Sequence, residues 1–194
     1  FFVDLVCFSA ILKYKMYEEG FMKINNIDIS RLKGTVDALK KDLSKAKKTN
    51  RIEGEWNVGE GPQFSASIEF ENGKVKLIAD QPTFLGGGGQ QPGPMIYCLY
   101  GSASCYAATF ATLAAMEGIS LKKLKVTAES YIDFSKVFGL SDNPIAEKVK
   151  FVLHVESSAS KDKLKELEEM AKNRCPAVYC LTNPIKLDTT LEIG

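Results

Sequence analysis

Apolar and polar residues alternate with a period of two between residues 51 and 80, which is the pattern of half-buried β-strands. The alternation runs from Ile52 to Asn57, returns from Phe64 to Phe70, and continues from Val75 to Ala79. Asn72-Gly73, between the last two stretches, is typical of a two-residue hairpin turn. The region is therefore predicted to form three antiparallel strands, the last two joined tightly.

A different pattern follows the glycine- and proline-rich segment 86–94, which predicts a loop. This segment lacks the Gly-Lys-Ser/Thr ending of a phosphate loop, so nucleotide binding is not expected. Residues 95–117 are apolar on nearly every face, and Glu117 is the only charged residue among them. A helix that is apolar all round is typical of a buried position. We therefore predict a long buried central helix with Pro94 in its first turn and its end at Gly118.

Residues 28–48 show a helical period with a narrow apolar stripe, formed by Ile29, Leu32, Val36, Leu39 and Leu43. Asp28 or Ser30 can cap this helix, and the lysines near its end suit the helix dipole. The opposite face is highly charged. Two interpretations stay open: the helix lies on its own domain, or it packs on a partner subunit.

The rest of the chain returns to strands and then to helices. Strands are predicted near 121–134 and 147–157, a helix over 161–173 that Ser160 caps, a short helix from Cys175-Pro176, and a last strand over 184–193. Because the elements follow one another without a βαβ repeat, the predicted fold class is α+β. We assign residues 51–194 to the domain and interpret residues 1–50 as a helical N-terminal extension.

Charge and hydropathy exclude several classes of function. The 194 residues include 25 basic and 24 acidic side chains, and the net charge of +1 gives no field that attracts nucleic acid or an anionic membrane. No apolar run reaches the roughly 20 residues that span a bilayer. The apolar segment at residues 1–12 contains Asp4 and is interpreted as a packed terminal helix. We expect neither a nucleic-acid nor a membrane partner.

Five cysteines are spread along the chain without the tight spacing of a disulfide framework: Cys7, Cys98, Cys105, Cys175 and Cys180. This usage favours a cytoplasmic protein with selected reactive thiols. The last four could supply a four-thiolate zinc site, but their spacings do not match a zinc knuckle. Cys98 and Cys180 are interpreted as small apolar core residues.

Cys105 and Cys175 have the settings that redox chemistry requires. Cys175 precedes Pro176 and is predicted to cap a helix whose free N–H groups favour the thiolate, which is the nucleophilic form. Arg174 is a neighbouring cation. Cys105 lies within the apolar helix, where burial alone would raise its pKa, so it needs a polar notch or a cation from another segment.

His154 is the only histidine, and it shares the outward face of its strand with Lys150 and Glu156. It is therefore predicted to be a solvated surface residue. A Cys-His nucleophile pair would have to use this histidine, so hydrolysis is not expected.

With their flanking residues, the two cysteines resemble the OsmC/Ohr family of thiol-dependent peroxidases. The resemblance is carried by the loop Gly89-Gln90-Gln91-Pro92-Gly93-Pro94, by the small-residue helix that reaches Cys105, and by Cys175-Pro176, which follows 70 residues later. It covers residues 51–193, including the order of the strands.

The resemblance implies an OsmC-like fold, with antiparallel sheets packed around a long buried central helix, in an intertwined homodimer with the site near the subunit interface. It also implies that Cys105 attacks the O–O bond of an organic or inorganic hydroperoxide and becomes a sulfenic acid. Cys175 would resolve this species to a disulfide, and an external dithiol would restore both thiols. No metal or organic cofactor is implied.

One position departs from the pattern of the hydroperoxide resistance branch. Met95 follows Pro94 where that branch has a Glu that positions an Arg, which suggests a less characterised OsmC-like branch. The chain contains only Arg31, Arg51 and Arg174. Arg51, at the start of the first strand, and Arg174 are the candidates for a cation that assists Cys105.

Two alternative functions remain open. In the first, the protein is not an enzyme and binds a hydrophobic small molecule at the dimer cleft, while its thiols take no part. Tyr97 and Tyr100 precede Cys105 on the same helix and are candidate lining residues of a hydrophobic pocket for an organic peroxide. In the second, the stripe at residues 28–48 holds a protein partner.

Overall fold

The computed structural model describes residues 23–194, and the predicted terminal helix at residues 1–12 lies outside them. The elements follow in the order β1 (Lys23–Ile24), β2 (Ile27–Asp28), α1 (Ile29–Lys41), β3 (Gly54–Trp56), β4 (Phe64–Phe70), β5 (Gly73–Ala79), α2 (Pro94–Met116), β6 (Leu121–Ile132), β7 (Ala146–Ser157), α3 (Lys161–Arg174) and α4 (Pro176–Thr182). Short 3₁₀ turns occur at Leu43–Ala46 and Thr83–Leu85. This mixture of helices and antiparallel sheets confirms the α+β class.

The chain divides into two compact units. Residues 23–46, 104–127 and 152–194 form the first unit, and residues 47–103 and 128–151 form the second. Helix α2 and strands β6 and β7 contribute residues to both. The boundary placed after residue 50 stays a prediction.

The second unit contains the predicted three-stranded antiparallel sheet, in the order β3-β4-β5. The tight turn lies at Glu71-Asn72 and not at Asn72-Gly73, because Gly73 already pairs with Phe70. A side chain at Gly73 would come within 2.9 Å of the Phe70 ring. The glycine is therefore explained by close cross-strand packing, and the turn prediction was wrong by one residue.

The first unit opens with a hairpin that the sequence pattern did not reveal. Asn25 and Asn26 connect β1 to β2 with φ angles of 55° and 63°, the left-handed region that asparagine tolerates best after glycine. The Asn25 amide donates to the carbonyl of Ile119 at 2.9 Å, and its oxygen accepts from the N–H of Leu121 at 2.8 Å. One side chain therefore ties the hairpin to the segment between α2 and β6.

Helix α1 is shorter than the predicted helix at residues 28–48. Asp28 caps its start by accepting from the N–H of Arg31 at 3.0 Å, as expected. The helix ends at Lys41 because Asp42 adopts an extended conformation and accepts from both the N–H and the hydroxyl of Ser44. An aspartate that binds the backbone locally in this way competes with helix continuation.

Helix α2 is present where the sequence predicted it. It ends at Met116, and Gly118, which was predicted to stop it, follows two residues later with a left-handed φ of 69°. Its burial is uneven within one chain. Tyr106, Phe110, Leu113, Ala114 and Ala115 are buried, whereas Met95, Ile96 and Tyr100 are exposed. Only the C-terminal half of the helix therefore has the burial expected of a central helix.

Strands β6 and β7 form a two-stranded sheet close to the predicted ranges. Ser160 caps α3 by accepting from the N–H of Lys163 at 3.2 Å, as predicted. The predicted last strand at 184–193 is wrong, because these residues form no strand. Their alternating apolar side chains are exposed, and they pair with no other strand among residues 23–194.

Candidate thiol site

Cys175 lies at a junction of two helices in the first unit. Its N–H donates to the carbonyl of Ala171 at 2.9 Å, which closes α3, and its carbonyl accepts from the N–H of Tyr179 at 2.9 Å, which begins α4. Pro176 occupies the first position of α4, where the missing N–H costs nothing. The predicted helix start at Cys175 is confirmed, and the side chain is 1% exposed.

The two cysteines singled out by the sequence meet in this unit. The thiol of Cys175 lies 3.6 Å from the sulfur of Cys105, although 70 residues separate them along the chain. A disulfide needs the sulfur atoms at about 2.05 Å. Both cysteines are free in this structure, so the pair is a dithiol whose sulfur atoms are in van der Waals contact.

Burial raises the pKa of the Cys105 thiol above its ordinary value. The N–H of Ala177, in the first turn of α4, partly opposes this by hydrogen bonding to the sulfur and favouring the thiolate. The nearby thiols of Cys175 and Cys180 raise the pKa further. The local geometry therefore disfavours the thiolate form of Cys105.

Neither candidate arginine is among the main influences on Cys105, which are burial, one amide and two thiols. Arg51 belongs to the second unit, is 82% exposed along its side chain, and pairs with Glu53 at 2.6 Å. Arg174 is exposed in the last turn of α3. A catalytic role for either residue stays a prediction.

A hydrogen bond between two helices lies beside the thiols. The hydroxyl of Tyr106, which is 4% exposed, donates to Glu168 Oε1 at 2.7 Å. The partners are 62 residues apart and lie on α2 and α3. Nothing in the local sequence pattern around Tyr106 reveals a contact at this separation.

The remaining cysteines and the histidine are placed as follows. Cys98 and Cys180 are exposed, so their interpretation as core residues was wrong. His154 is exposed and contacts the hydroxyl of Thr127 at 3.2 Å, which confirms its surface position. In the described part of the chain, no group of three or more His, Cys, Asp or Glu side chains could hold a metal ion.

The second unit contains an apolar cavity of about 390 Å³ between its sheet and the start of α2. The cavity is lined by Ile52, Trp56, Phe64, Ala66, Leu77, Ile78, Ala79, Pro94 and Tyr97. The hydroxyl of Tyr97 donates to the carbonyl of Ile78 at 2.7 Å. Its polar atom is therefore satisfied within the protein, and the lining is almost wholly apolar.

The glycine-rich loop that precedes α2 folds around Asp80, a carboxylate that is only 1% exposed. Asp80 accepts from the N–H of Gln90 at 2.9 Å, and its own N–H donates to the carbonyl of Pro92. A side chain at Gly87 would collide with the carbonyl of Gln81, which explains one of the glycines. The loop is thus held against the end of β5.

Comparison with known proteins gives three findings. A family model described as "OsmC-like protein" matches residues 87–190, more than half of the chain. A search of curated proteins found no match. Between residues 23 and 194, no helix is both long enough and apolar enough to cross a membrane.

Solved structures similar to this chain include two from bacteria. An OsmC-like protein from Mycoplasma pneumoniae shares 22% identity and a TM-score of 0.52, over 70% of this chain and 88% of that protein. An organic hydroperoxide resistance protein OsmC from Legionella pneumophila shares 20% identity and a TM-score of 0.50, over 70% of this chain and 92% of that protein. At these identities the likeness supports the fold.

Proposed function

This chain belongs to the family of OsmC-like proteins, and we propose that it reduces hydroperoxides through Cys105 and Cys175. The name of one similar structure, an organic hydroperoxide resistance protein, supports this proposal. The observation that carries the proposal is the 3.6 Å separation of the two sulfur atoms. The substrates are organic or inorganic hydroperoxides, and the electrons come from an external dithiol.

The proposed reaction balances with these groups alone. The thiolate of Cys105 attacks one oxygen of the O–O bond, and the O–O bond breaks as the S–O bond forms. Cys105 becomes a sulfenic acid, and the other oxygen takes a proton and leaves as an alcohol or water. The thiol of Cys175 then attacks the Cys105 sulfur, the disulfide forms and water leaves. Exchange with a dithiol reduces the disulfide and restores both cysteines.

The raised pKa of Cys105 gives this reaction a definite pH dependence. Below the pKa the thiol is neutral and unreactive, so peroxide consumption should rise with pH and continue to rise beyond the ordinary thiol value. The decisive experiment follows peroxide loss and alkylation of Cys105 across the same pH series. Matching profiles are expected, and a rate of peroxide loss that ignores the ionisation of Cys105 would remove this residue from the reaction.

Two variants separate the proposed roles. Cys105→Ser should abolish dithiol-dependent peroxide consumption, because the attacking sulfur is gone. Cys175→Ser should leave a sulfenic or overoxidised Cys105 that mass spectrometry detects after peroxide treatment. Cys98→Ser is the matched control, since Cys98 is an exposed thiol on the same helix as Cys105. Activity that persists without Cys105 would contradict the proposal.

The protein is further proposed to act as a homodimer in the cytoplasm. Exposed apolar side chains support the dimer, because a second copy would cover surface that one chain leaves in water. These side chains lie on the first half of α2 and at Ile185, Leu187 and Leu191. Arg51 or Arg174 of a second subunit would then be available to favour the Cys105 thiolate. Sedimentation analysis tests the dimer directly.

A second candidate function is the binding of a hydrophobic small molecule without turnover. The apolar cavity of the second unit favours it, because its volume of about 390 Å³ falls within the range of ligand pockets, roughly 300–1,000 Å³. Native mass spectrometry of the purified protein would reveal a bound ligand. A ligand that remains in the Cys105→Ser variant, together with no peroxide consumption by the unmodified protein, would favour this function over the first.

A further inference from the structure

The hydrogen bond between Tyr106 and Glu168 joins the two helices that carry the thiols. Tyr106 follows Cys105 directly on α2, and Glu168 lies on α3 seven residues before Cys175. Residues seven apart share one face of a helix. Helix α3 therefore presents Glu168 and its C-terminal cap, Cys175, on the same side, and each contacts one of two adjacent residues of α2.

We propose that Tyr106 is a positioning residue whose hydrogen bond to Glu168 sets the approach of the Cys105 and Cys175 sulfur atoms. The inference rests on the proposed function, since it concerns formation of the same disulfide. The sulfurs must close from 3.6 Å to about 2.05 Å when they bond. A bond that already fixes α2 against α3 removes part of the entropy lost in that step.

The packing around the bond supports a fixed geometry. Leu167 and Ala171 of α3 are fully buried, and Tyr106 is nearly so. Burial and the neighbouring carboxylate raise the pKa of Tyr106 well above its ordinary value. The hydroxyl therefore stays protonated, and remains a donor to Glu168, at every pH at which the thiols would react.

The test replaces Tyr106 with Phe and measures the equilibrium of the Cys105–Cys175 disulfide against oxidised and reduced glutathione. A hydrogen bond to a carboxylate is worth roughly tenfold or more in an equilibrium constant. We expect Tyr106→Phe to lower the disulfide formation constant about tenfold, which makes the reduction potential about 30 mV less negative. The matched control is Tyr131→Phe, which removes a hydroxyl that also donates to a carboxylate, Glu129 Oε2 at 3.3 Å, but within the second unit. This control should leave the potential unchanged.

Changes at Glu168 separate the hydrogen bond from the charge. Glu168→Gln keeps an oxygen that accepts from Tyr106 and should retain a potential near that of the unmodified protein. Glu168→Leu removes the acceptor and should reproduce the shift of Tyr106→Phe, and the double variant should show no further shift, because both changes break the same bond. The Leu variant also keeps the test informative if Tyr106→Phe does not fold.

The outcomes distinguish this inference from the proposed function. If no Cys105–Cys175 disulfide forms in the unmodified protein under glutathione, the proposed function fails. If it forms but Tyr106→Phe has the same or a more negative potential, the inference about Tyr106 is overturned while the function stands. A thermal stability change without a change in potential would likewise reduce Tyr106 to a structural residue.

Discussion

The two halves of helix α2 have similar apolar sequences and opposite surroundings. From Ser104 to Met116 the helix places Tyr106, Phe110 and Leu113 in the core of the first unit, whereas from Pro94 to Ala103 it leaves Ile96 56% exposed and Tyr100 71% exposed. Both halves are predominantly apolar, so hydrophobicity alone does not distinguish them. The difference indicates that the hydrophobicity of a helix does not by itself determine how far a single chain buries it, and under the proposed dimer a second copy would cover the exposed half.

The largest expected effect lies in the buried half. Phe110 is 1% exposed, so Phe110→Ala should leave a cavity and lower the free energy of unfolding by about 3–5 kcal/mol. Urea unfolding at fixed protein concentration measures this loss. A loss below about 1 kcal/mol would mean that the C-terminal half of α2 is not the core element described above.

A smaller effect is expected in the exposed half, and on association instead of folding. Tyr100→Glu places a charge on the surface proposed to be covered by a second copy, so it should weaken the dimer by at least about tenfold in Kd, which is about 1.4 kcal/mol. Sedimentation across a concentration series measures the change. Lys165→Glu, at an exposed residue of α3, is the charge-changing control and should leave association unaltered. If the unmodified protein is monomeric, a second copy cannot be the reason why the first half of α2 is apolar.

The smallest expected effect is on the pKa of Cys105, and it is tested with one cysteine near Cys105 and one on the exposed half of α2. Cys180 raises the pKa of Cys105, so Cys180→Ser should lower that pKa slightly and shift thiol alkylation toward lower pH. Cys98 belongs to the exposed half of α2 and is not among the main influences on Cys105, so Cys98→Ser should leave the profile in place. If both variants show the same pH dependence of alkylation, the pKa of Cys105 does not depend on Cys180.

Local signals predicted the elements that local chemistry controls. Ser160 caps α3, Gly118 lies just past the end of α2, and Cys175-Pro176 begins α4, because each depends on hydrogen bonds within a few residues. The β1–β2 hairpin was missed because two-residue strands are too short to show a period. The strand at 184–193 was wrongly predicted because alternation describes a face and does not supply a neighbouring strand.

For the candidate site, the sequence predicted which two cysteines are involved but not the residues around them. Cys105 and Cys175 stood out through their flanking residues, and the structure brings them to 3.6 Å. The Tyr106–Glu168 bond and the effect of Cys180 on Cys105 depend on contacts between distant segments, and Asp80 is held by the loop that follows it in the chain. Residue type alone does not reveal them, because a tyrosine, a cysteine or an aspartate is found in many surroundings.

The side chain of Asn25 has a practical consequence for shortening the protein. A chain cut before Arg51 would lose the amide that satisfies the carbonyl of Ile119 and the N–H of Leu121, and these groups belong to the joint between the thiol-bearing helix and the strand that follows it. Backbone groups that lose their partners are costly when water cannot replace them. Residues 23–28 therefore stabilise the end of the helix that carries Cys105, and a shortened protein intended to keep the thiols in place should retain these residues.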